Sequence, residues 1–172
     1  MDPLQRFAAG DLGAFEALFR QYQNEVYRWI VRIVRDRAAA EELTVETFWR
    51  LHKARARLDP AGNCPAWLRR VATNLAIDHL RHARPTEPLL AEPQDPSQSD
   101  CAEQAETRLA IRKALAELSP KLQVVVQLGL IEEEPYSCIA ESLGISIGAV
   151  KLRMFRALGI LRKKLQQQGI RP

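Results

Sequence analysis

The stretch from Ile147 to Gln168 constrains this chain most: it carries six Lys or Arg (Lys151, Arg153, Arg156, Arg162, Lys163, Lys164) and no Asp or Glu. A helix starting near Ile147 brings Val150, Met154, Ala157, Leu161 and Leu165 to within about 60° of one another, a core-facing stripe. Leu152, Phe155, Arg156, Gly159 and Lys163 fall on the opposite side, with Lys151 and Arg153 on the flanks. A run of charge is commonly no more than a solvated face. What precedes it argues otherwise. Ile139, Ala140 and Leu143 make a short apolar stripe, and Gly144 suits the left-handed residue that ends a helix. Ile145 can plug the gap between two helices, and Ser146 can cap the second. Helix, glycine turn and acid-free basic helix form a helix-turn-helix whose second helix suits a polyanion, with Leu152 and Phe155 able to meet base methyls in a major groove.

The basic charge is local. The whole chain has 25 basic and 21 acidic residues, a net +4, although its pI is near 9.2. A modest total favours binding within a larger assembly over tight independent DNA binding. At 47% hydrophobic and 27% charged, the 172 residues are globular. No apolar run approaches the ~20 residues of a membrane span, and the start MDPLQRF lacks a signal-peptide core. Cys64, Cys101 and Cys138 are odd in number and contain no CxxC pair, so neither a disulfide framework nor a zinc site is indicated. A reducing cytoplasm fits them.

The remainder reads as helices. Asp11 to Val34 places Phe15, Leu18, Phe19, Tyr22, Val26, Ile30, Ile33 and Val34 at helical spacing behind an Asp11 cap, with Tyr27, Trp29 and Val31 widening the apolar surface. A second helix from Asp36 to about Ala56 has Ala40, Leu43, Phe48 and Leu51 as its apolar positions. Its outer face carries Glu41, Glu42 and Glu46, either a soluble face or a docking surface for a basic partner, with Trp49 close by. LDPAGNCP, Leu58 to Pro65, is a loop by composition. The third helix has Trp67, Leu68, Val71, Ala72, Leu75 and Ala76 on its apolar face and Arg69, Arg70, Asn74, Asp78, Arg81 and Arg84 on the remainder. Asn74 can read a base edge; Trp67 suits stacking or the core equally. His79 and His82 are spaced for a metal but lack companion ligands.

Residues 85–104 change character: Pro85, Pro88, Pro93 and Pro96, five acids and no Lys or Arg. This is the composition of a flexible acidic linker, reaching roughly 65 Å fully extended or ~25 Å as a coil. A further helix from about Glu103 to Leu118, then Ser119-Pro120 as cap and first-turn proline, lead through Leu122, Val125, Val126 and Leu130 to the acidic turn Glu132-Glu133-Glu134-Pro135. The expected fold is therefore all-α: a helical domain over 1–84, a linker over 85–104, and a helix-turn-helix domain over 105–172, with the two domains free to sit far apart.

Three segments now carry a resemblance. AEELTVETFWRL, WLRRVATNLAIDHLR and LSPKLQVVVQLGLIEEEPYSCIAESLGISIGAVKLRMFRAL resemble, in order, the polymerase-docking helix, the minus-ten segment and the minus-thirty-five domain of extracytoplasmic-function (ECF) sigma factors of bacterial RNA polymerase. The resemblance implies that Glu41, Glu42, Leu43, Glu46 and Phe48 meet the clamp helices of the largest polymerase subunit. It implies that Asn74 contacts a flipped promoter base, the Leu58–Pro65 loop forming part of the pocket, with Arg69, Arg70, Asp78 and Arg81 on the same DNA-facing helix. Ser146, Lys151, Leu152, Phe155 and Arg156 would face the upstream element, and Arg153 a phosphate. The linker would thread toward the active-site and RNA-exit channel. Such a protein is a cytoplasmic promoter-recognition subunit with no catalysis, cofactor or metal of its own, held in check by an anti-sigma factor.

The chain also departs from the family pattern. Val45 stands where Gln usually precedes Glu-Thr-Phe, and Gly148-Ala149-Val150 replaces Gly-Thr-Val, losing a hydroxyl suited to phosphate. Leu152 replaces a small polar residue, and Ser137 and Cys138 replace two acids. A stand-alone helix-turn-helix regulator shares the last domain but leaves the acidic helix and the Asn74 face unexplained. A thiol or metal enzyme has no nucleophile–base pair, glycine loop or ligand spacing to support it.

Overall fold

The computed structural model of the protein describes residues 3–82 and 102–170, and every regular element among them is helical. Helices α1 (Pro3–Ala8), α2 (Leu12–Val34), α3 (Arg37–Ala54) and α4 (Cys64–His82) form the first half, with a 3-10 turn, Arg55–Arg57, after α3. Helices α5 (Ala102–Ala116), α6 (Pro120–Val126), α7 (Tyr136–Leu143) and α8 (Ile147–Gln167) form the second, with a π-helical turn, Gln127–Ile131, after α6. Most of the expected linker lies outside the described residues; its last part already belongs to α5.

Short polar side chains set the helix starts. Asp11 accepts from the Gly13 and Ala14 amides, and Asp36 accepts from Ala39. The chain turns between α2 and α3 on two residues. Arg35 ends α2 in the left-handed region at φ 54°, and Asp36 at once caps α3. Ser119 occupies the cap position of α6 with Pro120 behind it, but its side chain makes no capping bond; the fixed φ of proline is what pre-sets that first turn. Helix α1 was not anticipated from the sequence, and it matters to the core. Phe7 is fully buried and its ring lies 5.4 Å from that of Phe15.

The first half closes on Leu18, Ile30, Leu51, Leu68, Ala72 and Ala76, all buried. Filling each large aliphatic position is worth about 1.5–3 kcal/mol. Its polar atoms are satisfied internally. Trp29 Nε1 donates to Thr73 Oγ1 at 2.9 Å, and Thr73 in turn donates to the Arg69 carbonyl at 2.8 Å. Thr44 and Thr47 bond back to the Ala40 and Leu43 carbonyls.

In the second half, Val124, Val125, Leu128, Ile139, Val150, Met154 and Ala157 are buried. The expected stripe of α8 is thus inside at its first three positions, while Leu161 and Leu165 are half-buried. Helix α8 packs on α6 and α7, and Met154 reaches the π turn so closely that a Cβ on Gly129 would stand 2.6 Å from Met154 Cε. The π turn carries Gly129 past this contact. It ends with the Glu132 amide on the Gln127 carbonyl and the Glu134 amide on that of Leu128.

The two halves, which the linker leaves free to sit far apart, meet here. Helix α4 packs on α6 and α7, α2 packs on the π turn, and the buried apolar residues of both halves form one continuous cluster.

Candidate promoter and polymerase interfaces

The helix-turn-helix has the predicted geometry. Gly144 ends α7 at φ 64° with its amide directed to the Ala140 and Glu141 carbonyls, and the Ile145 amide returns to Ala140. Ser146 Oγ then accepts from the Ala149 amide, which occupies its hydroxyl in capping. With Val150, Met154 and Ala157 facing inward, the outer side of α8 presents Lys151, Leu152, Phe155 and Arg156 to solvent. Phe155 is 76% exposed and Leu152 48%. Arg153 lies half-buried on the flank. One of the six basic residues leaves the set: Lys164 bonds to Glu117 and ties α8 to the end of α5. The exposed row that remains is cationic at Lys151 and Arg156 and apolar between them, suited to hydrogen-bonding guanine and touching thymine methyls.

Helix α4 divides the candidate minus-ten residues into two groups. Asn74, Asp78 and Arg81 are exposed, with Asp78 and Arg81 paired at 3.2 Å. Arg70 is exposed as well, whereas Arg69 is half-buried and turned toward the rest of the protein. Arg69 sits 5.0 Å above the Trp29 ring, bonds Glu25 at 2.9 Å and donates to Cys138 Sγ at 3.4 Å. Arg70 lies over Gly144. In this arrangement the Arg69 guanidinium is engaged within the protein, while Arg70 stays exposed beside the turn. Periodicity identified the polar side of α4 but not the helix that would cover part of it. Trp67 resolves toward the core, against which it packs half-buried.

Helix α3 also needs one correction. Phe48 is only 2% exposed, its ring edge-on to Phe19 at 4.8 Å, so its side chain cannot reach a partner. Glu41 and Glu42 are exposed, Glu46 is half-buried and paired with Arg50, and Leu43 is half-buried. The apolar groups on the open face are instead Val45, 65% exposed, and Trp49, 49% exposed. Trp49 is held by a parallel stack on His52 and by Lys53 Nζ 4.9 Å from its ring. Helical spacing already puts Phe48 among the apolar positions of α3; only the family resemblance implies a polymerase contact for it.

Burial pushes the Cys138 thiol up, despite the opposing pull of Arg69, so it is a poor nucleophile. Cys64 is buried. His82 Nδ1 contacts the Asp78 carbonyl within its own helix, and no group of three metal-ligating side chains occurs among the described residues. No helix among them is long and apolar enough to cross a membrane.

Two blocks of the chain match known families, and they coincide with the two halves of the fold. Residues 18–86 match Sigma-70 region 2, and residues 108–161 match Sigma-70 region 4. This defines the class: a helical sigma factor carrying those two regions. RNA polymerase sigma factor CarQ of Myxococcus xanthus is 32% identical over 94% of this chain and 95% of its own length. ECF RNA polymerase sigma factor SigL of Mycobacterium tuberculosis is 34% identical, over 95% of each. The chain belongs to the ECF RNA polymerase sigma factors and directs promoter-specific transcription initiation. The fold agrees with CnrH in complex with the cytosolic domain of CnrY (TM-score 0.59, 23% identity, 96% of this chain and 97% of that one). It agrees also with the sigma factor RpoE bound to the anti-sigma factor NepR from Bartonella quintana (TM-score 0.55, 19% identity, 88% and 96%).

Proposed function

We propose that the protein grips a promoter at two points, with α8 in the major groove of the minus-thirty-five element and Asn74 of α4 on an unstacked base of the minus-ten element. The observation that carries this reading is the outer row of α8, where Lys151, Leu152, Phe155 and Arg156 are exposed on a helix whose other side is sealed into the core. Arg156 reads a base edge, Phe155 and Leu152 supply methyl contacts, Lys151 and Arg153 serve phosphates, and Ser146 holds the helix start. The protein supplies recognition and no catalysis, and works in the cytoplasm where the polymerase is.

Helix α3 serves as the docking face for the clamp helices of the largest polymerase subunit. Glu41, Glu42 and Glu46 give it charge, and Val45 and Trp49 give it an apolar centre, the arrangement of an interface core inside a polar rim. An anti-sigma factor completes the set of partners, in line with the complexes in which the similar folds occur.

The test is run-off transcription with bacterial core polymerase and a randomised promoter library. Enrichment of a two-part motif supports the reading, and its upstream half should change with Leu152→Ser. No promoter-dependent product, together with no binding to core, would overturn it.

A further inference from the structure

Beside the shared apolar core, the two halves make specific polar contacts. Arg32, in the last turn of α2, reaches the acidic turn before α7: its Nη1 is 2.8 Å from Glu134 Oε1, and its Nε is 3.4 Å from Glu132 Oε2. Both carboxylates are well covered, with side-chain exposures of 20% and 24%. A second contact joins Arg69 of α4 to Cys138 of α7. At a third, the Arg70 guanidinium lies on Gly144 so closely that a Cβ there would stand 2.9 Å from Arg70 Cζ.

These contacts bring the minus-ten helix within a few ångströms of the helix-turn-helix. Elements centred about 25 base pairs apart are separated by ~85 Å at 3.4 Å per step. A molecule closed in this way cannot occupy both. The closed form also commits Arg69, which shares α4 with Asn74, to contacts with Trp29, Glu25 and Cys138. We propose that Arg32, Glu132 and Glu134 form an ionic latch that holds the free protein in this self-occluded state, and that the latch must open before α4 and α8 can engage a promoter together. The inference rests on the two-point reading above.

The chemistry suits a releasable closure. Partly exposed ion pairs are weak and are screened by salt, so each shifts the closed-to-open ratio by no more than about tenfold. A polymerase surface that binds the open form more tightly shifts the population by its differential affinity, and a weaker latch lowers the preference it needs. The Arg69 contact is softer still, because its acceptor is a thiol that burial keeps neutral.

The test uses the full chain without polymerase. Small-angle X-ray scattering should give a compact wild type at low salt that expands as salt is raised. Arg32→Glu should be expanded already at low salt, and Arg32→Gln should lie between. Adding Glu132→Arg and Glu134→Arg to Arg32→Glu should restore compaction, while Cys138→Asp, which offers Arg69 a carboxylate, should keep the protein closed to higher salt. Binding of a fluorescein-labelled single-stranded DNA of random sequence should rise about three- to tenfold in Arg32→Glu. That rise opposes the direct effect of replacing a cation with an anion. Equal dimensions across the variants and salts, an expanded wild type, or weaker strand binding by a folded Arg32→Glu would overturn the latch. Run-off transcription by wild type reports separately on the two-point reading, since the scattering experiment contains neither promoter nor polymerase.

Discussion

Phe155 and Arg156 stand side by side on the open face of α8 and should contribute differently. A bidentate arginine contact to guanine is worth about 1–3 kcal/mol of discrimination. Arg156→Ala should therefore relax one position of the upstream motif, read as a flattened preference in a binding-site selection. Arg153, half-buried on the flank, should act through phosphate. Arg153→Ala should weaken binding to all sequences alike and reduce the slope of log affinity against log salt by about one unit. At the other end of the chain, the Arg6 guanidinium holds the Asp11 carboxyl below the usual carboxylate range. Because the folded value is the lower one, this contact contributes above the unfolded pKa and is lost as pH falls through the folded pKa. Nuclear magnetic resonance titration of Asp11 should show its midpoint rise in Arg6→Gln.

At the scale of elements, α8 depends on its first turn. Ser146→Ala removes the bond to the Ala149 amide and should cost about 1 kcal/mol, read as a lower denaturation midpoint. Helix α3 offers a sharper test of function. Val45→Glu or Trp49→Ala should weaken binding to core polymerase without unfolding the protein, since both side chains are exposed. Phe48→Ala should instead cost about 3–5 kcal/mol of stability by opening a cavity beside Phe19. Measuring core affinity and unfolding on all three variants separates docking from packing. The helices were legible because caps and spacing are local: Asp11, Asp36, Gly144 and Ser146 do in the fold what their chemistry predicts. Helix α1 was missed because six residues carry too little periodicity. The π turn, where Met154 lies over Gly129 from across the core, has no signal in local spacing.

At the scale of the molecule, one continuous core joins regions that must work far apart. Sequence alone determined the all-helical class, the two regions, the acid-free recognition helix and the acidic character of the segment between them, because each is written in composition or in spacing along a single element. It also determined which side of α8 would be sealed. Tertiary structure decided which polar residues remain available. It placed Phe48 against Phe19, spent Lys164 on Glu117, turned Arg69 onto Trp29 and Cys138, and set Arg32 on the acidic turn. The reason is physical: periodicity fixes the direction a side chain takes from its own helix, but what waits there belongs to another helix, and only packing brings the two together.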